Sequence, residues 1–214
     1  SRAADASITG TLFTGNSREA LRMRTGTISG AVFDQNLGTG SSEAAYLFDV
    51  TATDLTFTDN AGRGVELYNT VLRDSLLSGN AIGVLLNFGA QVLDNVFRGN
   101  TDAAIASGRA NGVVIEGNDI SGSPFGIRMQ PSNAHTFQIR NNVIHGDALR
   151  TAIFVDDGDN HLIEHNTIVM GADGERGIVI TGTTPNVHLR NNIVQMPAGT
   201  ALTVGNPAQF GIRS

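Results

Sequence analysis

The 214-residue chain contains no cysteine, no tryptophan and no lysine. Without cysteine there is no disulfide framework, no thiolate metal site and no thiol nucleophile. All fourteen basic residues are arginine. Charge is sparse, at 16% of residues, and the net charge is −6. With no basic excess to neutralise phosphates, nucleic acid is not an expected partner. No apolar run approaches the roughly 18 residues of a membrane-spanning helix. No secretory signal is present, so any export signal is expected to lie outside these residues. Helical periodicity is missing too. What is plentiful is Asn, Thr, Ser and Gly, a mixture suited to strands and turns.

Those residues are organised in a motif repeated nine times. Its clearest copies are Val92–Asn100, Ile115–Ile120, Ile139–Ile144, Ile163–Ile168 and Leu189–Val194. A period of 20 to 26 residues marks a solenoid, in which each repeat buries its apolar face only by stacking on the next. Three apolar files emerge on alignment. The first runs Ile8, Ile28, Ala52, Leu72, Val92, Ile115, Ile139, Ile163, Leu189. The second, five residues on, runs Phe13, Phe33, Phe57, Leu77, Phe97, Ile120, Ile144, Ile168, Val194. The third is a pair spaced by two: Leu21 with Met23, Tyr46 with Phe48, Val65 with Leu67, Val84 with Leu86 and Ala104 with Ala106. It continues as Ile127 with Met129, Ile153 with Val155, Ile178 with Ile180 and Leu202 with Val204. Spacing of two is strand periodicity.

The pattern predicts an all-β parallel β-helix of about nine coils, three short strands per coil, over residues 1–214 as one domain. Stacked at ~4.8 Å, nine coils make a rod of about 40 Å. Right-handed winding is expected because right-handed crossovers dominate parallel sheets. The Leu-x-x-Leu-x-Leu signature of leucine-rich repeats is missing. The ends, Ser1-Arg2 and Arg213-Ser214, and the lack of obvious caps suggest a piece of a longer solenoid, or end-to-end contacts.

Two polar files accompany the core. Asn16, Asn36, Asn60, Asn80 and Asn100 close the second strand in the early coils. Asn95, Asn118, Asn142, Asn166 and Asn192 occupy the corner before it in the later coils. Asn tolerates left-handed backbone, and stacked amides can bond along the rod. After the first core position come Arg73, Leu93, Glu116, Arg140, Glu164 and Arg190, a pairing ladder.

The φ-x-x-Asn-x-φ-x-Gly/Asn copies, from about Ser7 to Val204, resemble the right-handed β-helix repeats of the pectin-lyase-like superfamily. That resemblance implies a fold shared by pectate and alginate lyases, galacturonan hydrolases, mannuronan epimerases, phage tailspikes and bacterial surface proteins. It implies an exported bacterial protein that binds, and in some members processes by lyase or epimerase chemistry, an acidic polysaccharide. A structural or adhesive module of a surface protein is the alternative. None of the family's catalytic motifs is matched. Tyr46 and Tyr68 sit in Ala-Tyr-Leu-Phe and Leu-Tyr-Asn contexts, and Asp156-Asp157 is all that corresponds to a hydrolase motif.

Three candidate sites remain. Asp156, Asp157 and Asp159 offer oxygen donors for calcium. His165, beside Glu164, Arg140 and Arg190, is the candidate general base, among five histidines at positions 135, 145, 161, 165 and 188. Arg150 and Arg176 lie in loops one coil apart, near Asp147, Asp173 and Glu175, where a planar guanidinium can meet a uronate. Finally, Leu47, Leu85, Ile105, Phe154 and Val179 fall between the paired core positions of the third strand. They predict an outward apolar stripe for self-association or a neighbouring domain.

Overall fold

The computed structural model describes residues 6–38, 42–130, 136–182 and 186–205. Every regular element among them is a strand, and every pairing is parallel and one coil apart. Second strands, from Leu12–Thr14 to Ile193–Gln195, form a nine-stranded sheet spanning about eight turns. First and third strands together form a 16-stranded sheet. They merge because early third strands run straight on into the next first strand. Leu21–Ser29 and Glu43–Thr53 each do both jobs. In later coils that connection opens into loops, between Ala103–Ser107 and Val113–Glu116 and between Thr151–Asp156 and Leu162–Glu164.

The first two core files are in the predicted register. Ile115 pairs with Ile139, and Ile139 with Ile163. Phe33 pairs with Phe57, and Phe97 with Ile120. Phe13, Phe33 and Phe57 stack face to face, with centroids 4.7 and 4.6 Å apart. Burial of these files is the main stabilising term, because each coil has no other partner for its apolar face.

The third file needs a correction. Leu47 and Ile105 belong to the core: Met23 pairs with Leu47 and Leu47 with Leu67, while Val84 pairs with Ile105 and Ile105 with Ile127. Tyr46 and Ala106 take their places outside. The outward file is Arg22, Tyr46, Glu66, Leu85, Ala106, Arg128, Phe154, Val179 and Thr203. The physical cause is local. Ala44–Phe48 and Ala103–Ala106 are unbroken apolar runs, so alternation carries no phase there. The stripe is also not bare. Leu85 packs against Ala103, Ala106, Ile82 and Phe125, Phe154 meets Phe125 edge-on, and Arg128 lies over the Phe125 ring.

Both Asn files are hydrogen-bonded ladders. After the first rung of each file, each side-chain oxygen accepts from the amide of the preceding coil, at 2.8–3.1 Å, and from its backbone N–H as well. Each Nδ2 also donates to a backbone carbonyl, as Asn142 does to Ile115 at 3.0 Å. The buried amides are thereby satisfied within the chain, which a core requires. A neighbouring file turns the corner in left-handed backbone: Gly30, Asp54, Asp74, Asp94, Gly117, Asn141, His165 and Asn191. At Gly117 the choice is forced twice, since φ is +71° and a Cβ would lie 2.2 Å from an Asp94 carboxylate oxygen.

Candidate functional site

The candidate catalytic residues His165, Arg140, Arg150 and Arg176 occupy two different corners. Arg140 ends a first strand and His165 sits in the left-handed corner file just described. Arg150 and Arg176 stand at the far end of the second strand, where third strands begin. Each is already engaged. Arg140 pairs with Glu116 at 2.8 Å and Arg190 with Glu164 at 2.8 Å. Arg150 pairs with Glu175 at 2.6 Å, and Arg176 lies 3.8 Å from the same carboxylate. The His165 ring is 3.9 Å from Glu164, and its Nε2 is 3.1 Å from the Asn191 amide. Apart from His165 with Glu164 and Arg176 with Glu175, which are neighbours in sequence, these contacts run from coil to coil, along the rod.

The acidic turn is directed the same way. Asp156 accepts from Thr181 at 3.0 Å, and Asp159 from Asn186 at 3.2 Å. Among the described residues no three His, Cys, Asp or Glu side chains are grouped to hold a metal ion. His145 bonds Asp119 on the second sheet at 2.9 Å, and His188 is exposed. His135 lies outside the described residues. His161 is fully buried and stacks on Phe137 at 3.7 Å. Its Nε2–H donates to the Asp157 carbonyl at 3.1 Å, while Nδ1 has no partner. Burial holds its pKa down at about 4.

A denser arrangement lies on the outward face of the early third strands. Arg22 stacks over the Tyr46 ring at 4.2 Å, and Arg24 over Phe48 at 5.2 Å. Tyr68, one coil further, meets both rings, at centroid distances of 5.3 Å from Tyr46 and 6.2 Å from Phe48. These are parallel rows, because alternate residues of a strand point the same way and successive coils are in register. Arg22 and Arg24 are exposed. Among the described residues Arg24 faces no carboxylate at ion-pair distance; Arg22 is held by Glu19, at 2.9 and 2.7 Å.

Beside the rings sits a carboxylate cluster. Arg63 is 3.2 Å from Glu66 and 3.9 Å from Glu43. Asn87 donates to Glu66 at 3.1 Å. Glu43 is only 9% exposed. Burial, then the Glu66 charge and a hydrogen bond with Glu19, push its carboxyl up to about 7, against a smaller opposing pull from Arg63. Burial and Glu66 likewise push the Tyr68 hydroxyl up to about 12. Sequence reading missed this site. The available signal was Arg22-x-Arg24, Tyr46-x-Phe48 and Glu66-x-Tyr68 in consecutive coils. Placing Tyr46 and Phe48 in the core hid it.

The family model described as right handed beta helix region matches residues 1–120 and 49–194. No curated protein matches the sequence. Among solved structures, the fold is similar to an alginate lyase from Paenibacillus sp. strain FPU-7. The TM-score is 0.66 at 16% identity, over 96% of this chain and 94% of that one. It is similar to the tailspike protein of E. coli bacteriophage HK620, solved with a pentasaccharide. There the TM-score is 0.62 at 12% identity, over 97% of this chain and 44% of that one. The surface adhesin PfbA of Streptococcus pneumoniae scores 0.56 at 15% identity, over 92% of this chain and 63% of that one. At such identities the likeness is one of fold. Among the described residues no helix is long and apolar enough to cross a membrane.

Proposed function

The chain belongs to the right handed beta helix family, and from that premise we propose that it binds an acidic polysaccharide along the outward face of its early third strands. The observation that carries this reading is the pair of exposed guanidiniums, Arg22 and Arg24, stacked on Tyr46 and Phe48 with Tyr68 beside both. Aromatic rings offer a flat apolar body with a polar rim, which suits the faces of pyranose rings. Arginine offers a planar fork that matches a carboxylate. In-register coils set the two arginines, the Tyr46 and Phe48 rings and Tyr68 in consecutive rows along the rod, so an extended chain would meet cations and rings in turn. An exported or cell-surface bacterial setting suits such a ligand. An alginate lyase and a pentasaccharide-bound tailspike share the fold, and they supply the choice of polymer to test.

The test is calorimetric binding of oligouronates of alginate and pectate, beside a neutral oligoglucan. Binding of the uronates and its loss in a Tyr46→Ala, Arg24→Ala double variant is the expected result. Equal uronate affinity in wild type and the double variant contradicts it. Processing of the lyase or epimerase type is checked in the same samples, by unsaturated ends or altered uronate composition. A structural or adhesive module without turnover is the second reading. It is favoured by the pairing of Arg140 with Glu116 and of Arg150 with Glu175, which occupies the predicted catalytic cations within the rod.

A further inference from the structure

Glu43 sits beside the binding face, and every charged group around it can be named. Glu19, just before Leu21–Ser29, and Arg22, within it, face it on one side, and Arg63 and Glu66 from Arg63–Tyr68 on the other. Tyr46 and Tyr68 flank them, and Arg109 approaches Tyr68 from the following loop. Ile82, in register with Arg63 on the other side, brings no charge. The cluster therefore has three carboxyl groups, Glu19, Glu43 and Glu66, against two guanidiniums, Arg22 and Arg63. Arg22 is claimed by Glu19 and Arg63 lies closest to Glu66. Glu43 is the carboxyl left over: buried, 3.9 Å from Arg63, and close to the Glu19 and Glu66 carboxyls. Burial beside two other carboxyls favours a proton on Glu43. With the proton present the five groups sum to zero. Without it they sum to one negative charge, next to the Arg22–Tyr46 stack.

We propose that Glu43 is a proton-operated selector of ligand charge, admitting carboxylated sugars to the Arg22–Tyr46–Tyr68 face when protonated and weakening their binding when ionised. The proposal rests on the polysaccharide reading above and adds its regulation. A neutral sugar carries no charge for the switch to act on, so selection falls on uronates alone. The proton leaves to solvent as pH rises and returns as uronate binds, because each favours the other's state.

The test is affinity for an oligouronate and for a neutral oligosaccharide of equal length, at fixed salt, from about pH 5.5 to about pH 8.5, either side of the Glu43 midpoint. Wild type should lose about fivefold in uronate affinity across that range, the scale of one like charge about 4 Å away in water. Glu43→Gln should hold the low-pH affinity throughout, and neutral-sugar binding should not change with pH. A Glu43→Gln profile that falls like wild type overturns the selector, as does a flat wild-type profile. Because that variant could disturb folding, carboxyl NMR on the wild type reads the proton directly. Titration of Glu43 near 7 is expected, and titration in the ordinary carboxylate range overturns the proposal. Binding without pH dependence defeats the selector alone. Absence of binding at every pH defeats the polysaccharide reading with it.

Discussion

The two halves of the rod solve one problem with different residues. Up to and including the coil that begins at Val92, the second-strand file holds the stacked Phe13, Phe33 and Phe57, then Leu77 and Phe97, and the Asn ladder closes that strand, from Asn16 to Asn100. After it, isoleucine fills the file and the ladder moves to the preceding corner, from Asn95 to Asn192. The Val92 coil carries both asparagines, so no coil at the handover is without an amide. The old ladder ends untidily. Ser123 stands two residues beyond Ser121, as Asn100 stands two beyond Arg98, and its hydroxyl is buried without a partner.

Surface charge differs in the same way. In the later coils it runs along the rod as pairs between coils, Glu116 with Arg140 and Glu164 with Arg190. In the early coils several charged groups gather on one face around Tyr46 and Tyr68. The lesson is that charges satisfying their neighbours one coil away serve register, whereas Arg24, stacked on Phe48 with no carboxylate at ion-pair distance among the described residues, is open to the proposed ligand.

Four perturbations sharpen the contrast. Phe57→Ala should cost most, about 3–5 kcal/mol, because the ring is buried and stacked. Ile144→Ala in the later half should cost about 2–5 kcal/mol, and chemical denaturation of both variants checks the ranking. Asn142→Ala should cost about 3 kcal/mol, since it strands the Asn118 backbone and side-chain donors in the interior. Asn192→Ala, at the end of the ladder, should cost less; equal losses would mean that the amides do not act as a connected ladder.

Acid should weaken the later half in particular. His161 takes up a proton near pH 6.5 when unfolded but only at about 4 when folded. Stability therefore falls as pH drops from about 6.5 to about 4, by roughly 3 kcal/mol at most. His161→Phe should remove that slope, read as denaturation midpoints at several pH values. Smallest of all, a double-mutant cycle on Arg140 and Glu116 should give about 0.5 kcal/mol, because both side chains are about a third exposed. A coupling several times larger would return this pair to the list of functional candidates.

Most of the fold was legible because the repeat averages over its own irregularities. Nine copies fix the first two core files even where Ala52 or Val194 departs from the consensus. Legibility failed where a coil was apolar throughout, at Ala44–Phe48 and Ala103–Ala106. There, phase came only from pairing with the neighbouring coils. The site was hidden for that reason and one more. Histidines and adjacent Asp residues attract attention as chemical types, yet His165 holds a corner and Asp156 holds Thr181. Glu43 looked ordinary in sequence. Its character comes from burial beside Glu19 and Glu66, groups contributed by the coils on either side.

The comparison between the halves is tested most directly by a crystal structure of the chain with a bound oligouronate. Sugar rings lying over Tyr46 and Tyr68, with carboxylates on Arg22 and Arg24, are the predicted result. A ligand seated instead in the later coils, against Gln138, Leu162 and His188 or around His165, would contradict the account.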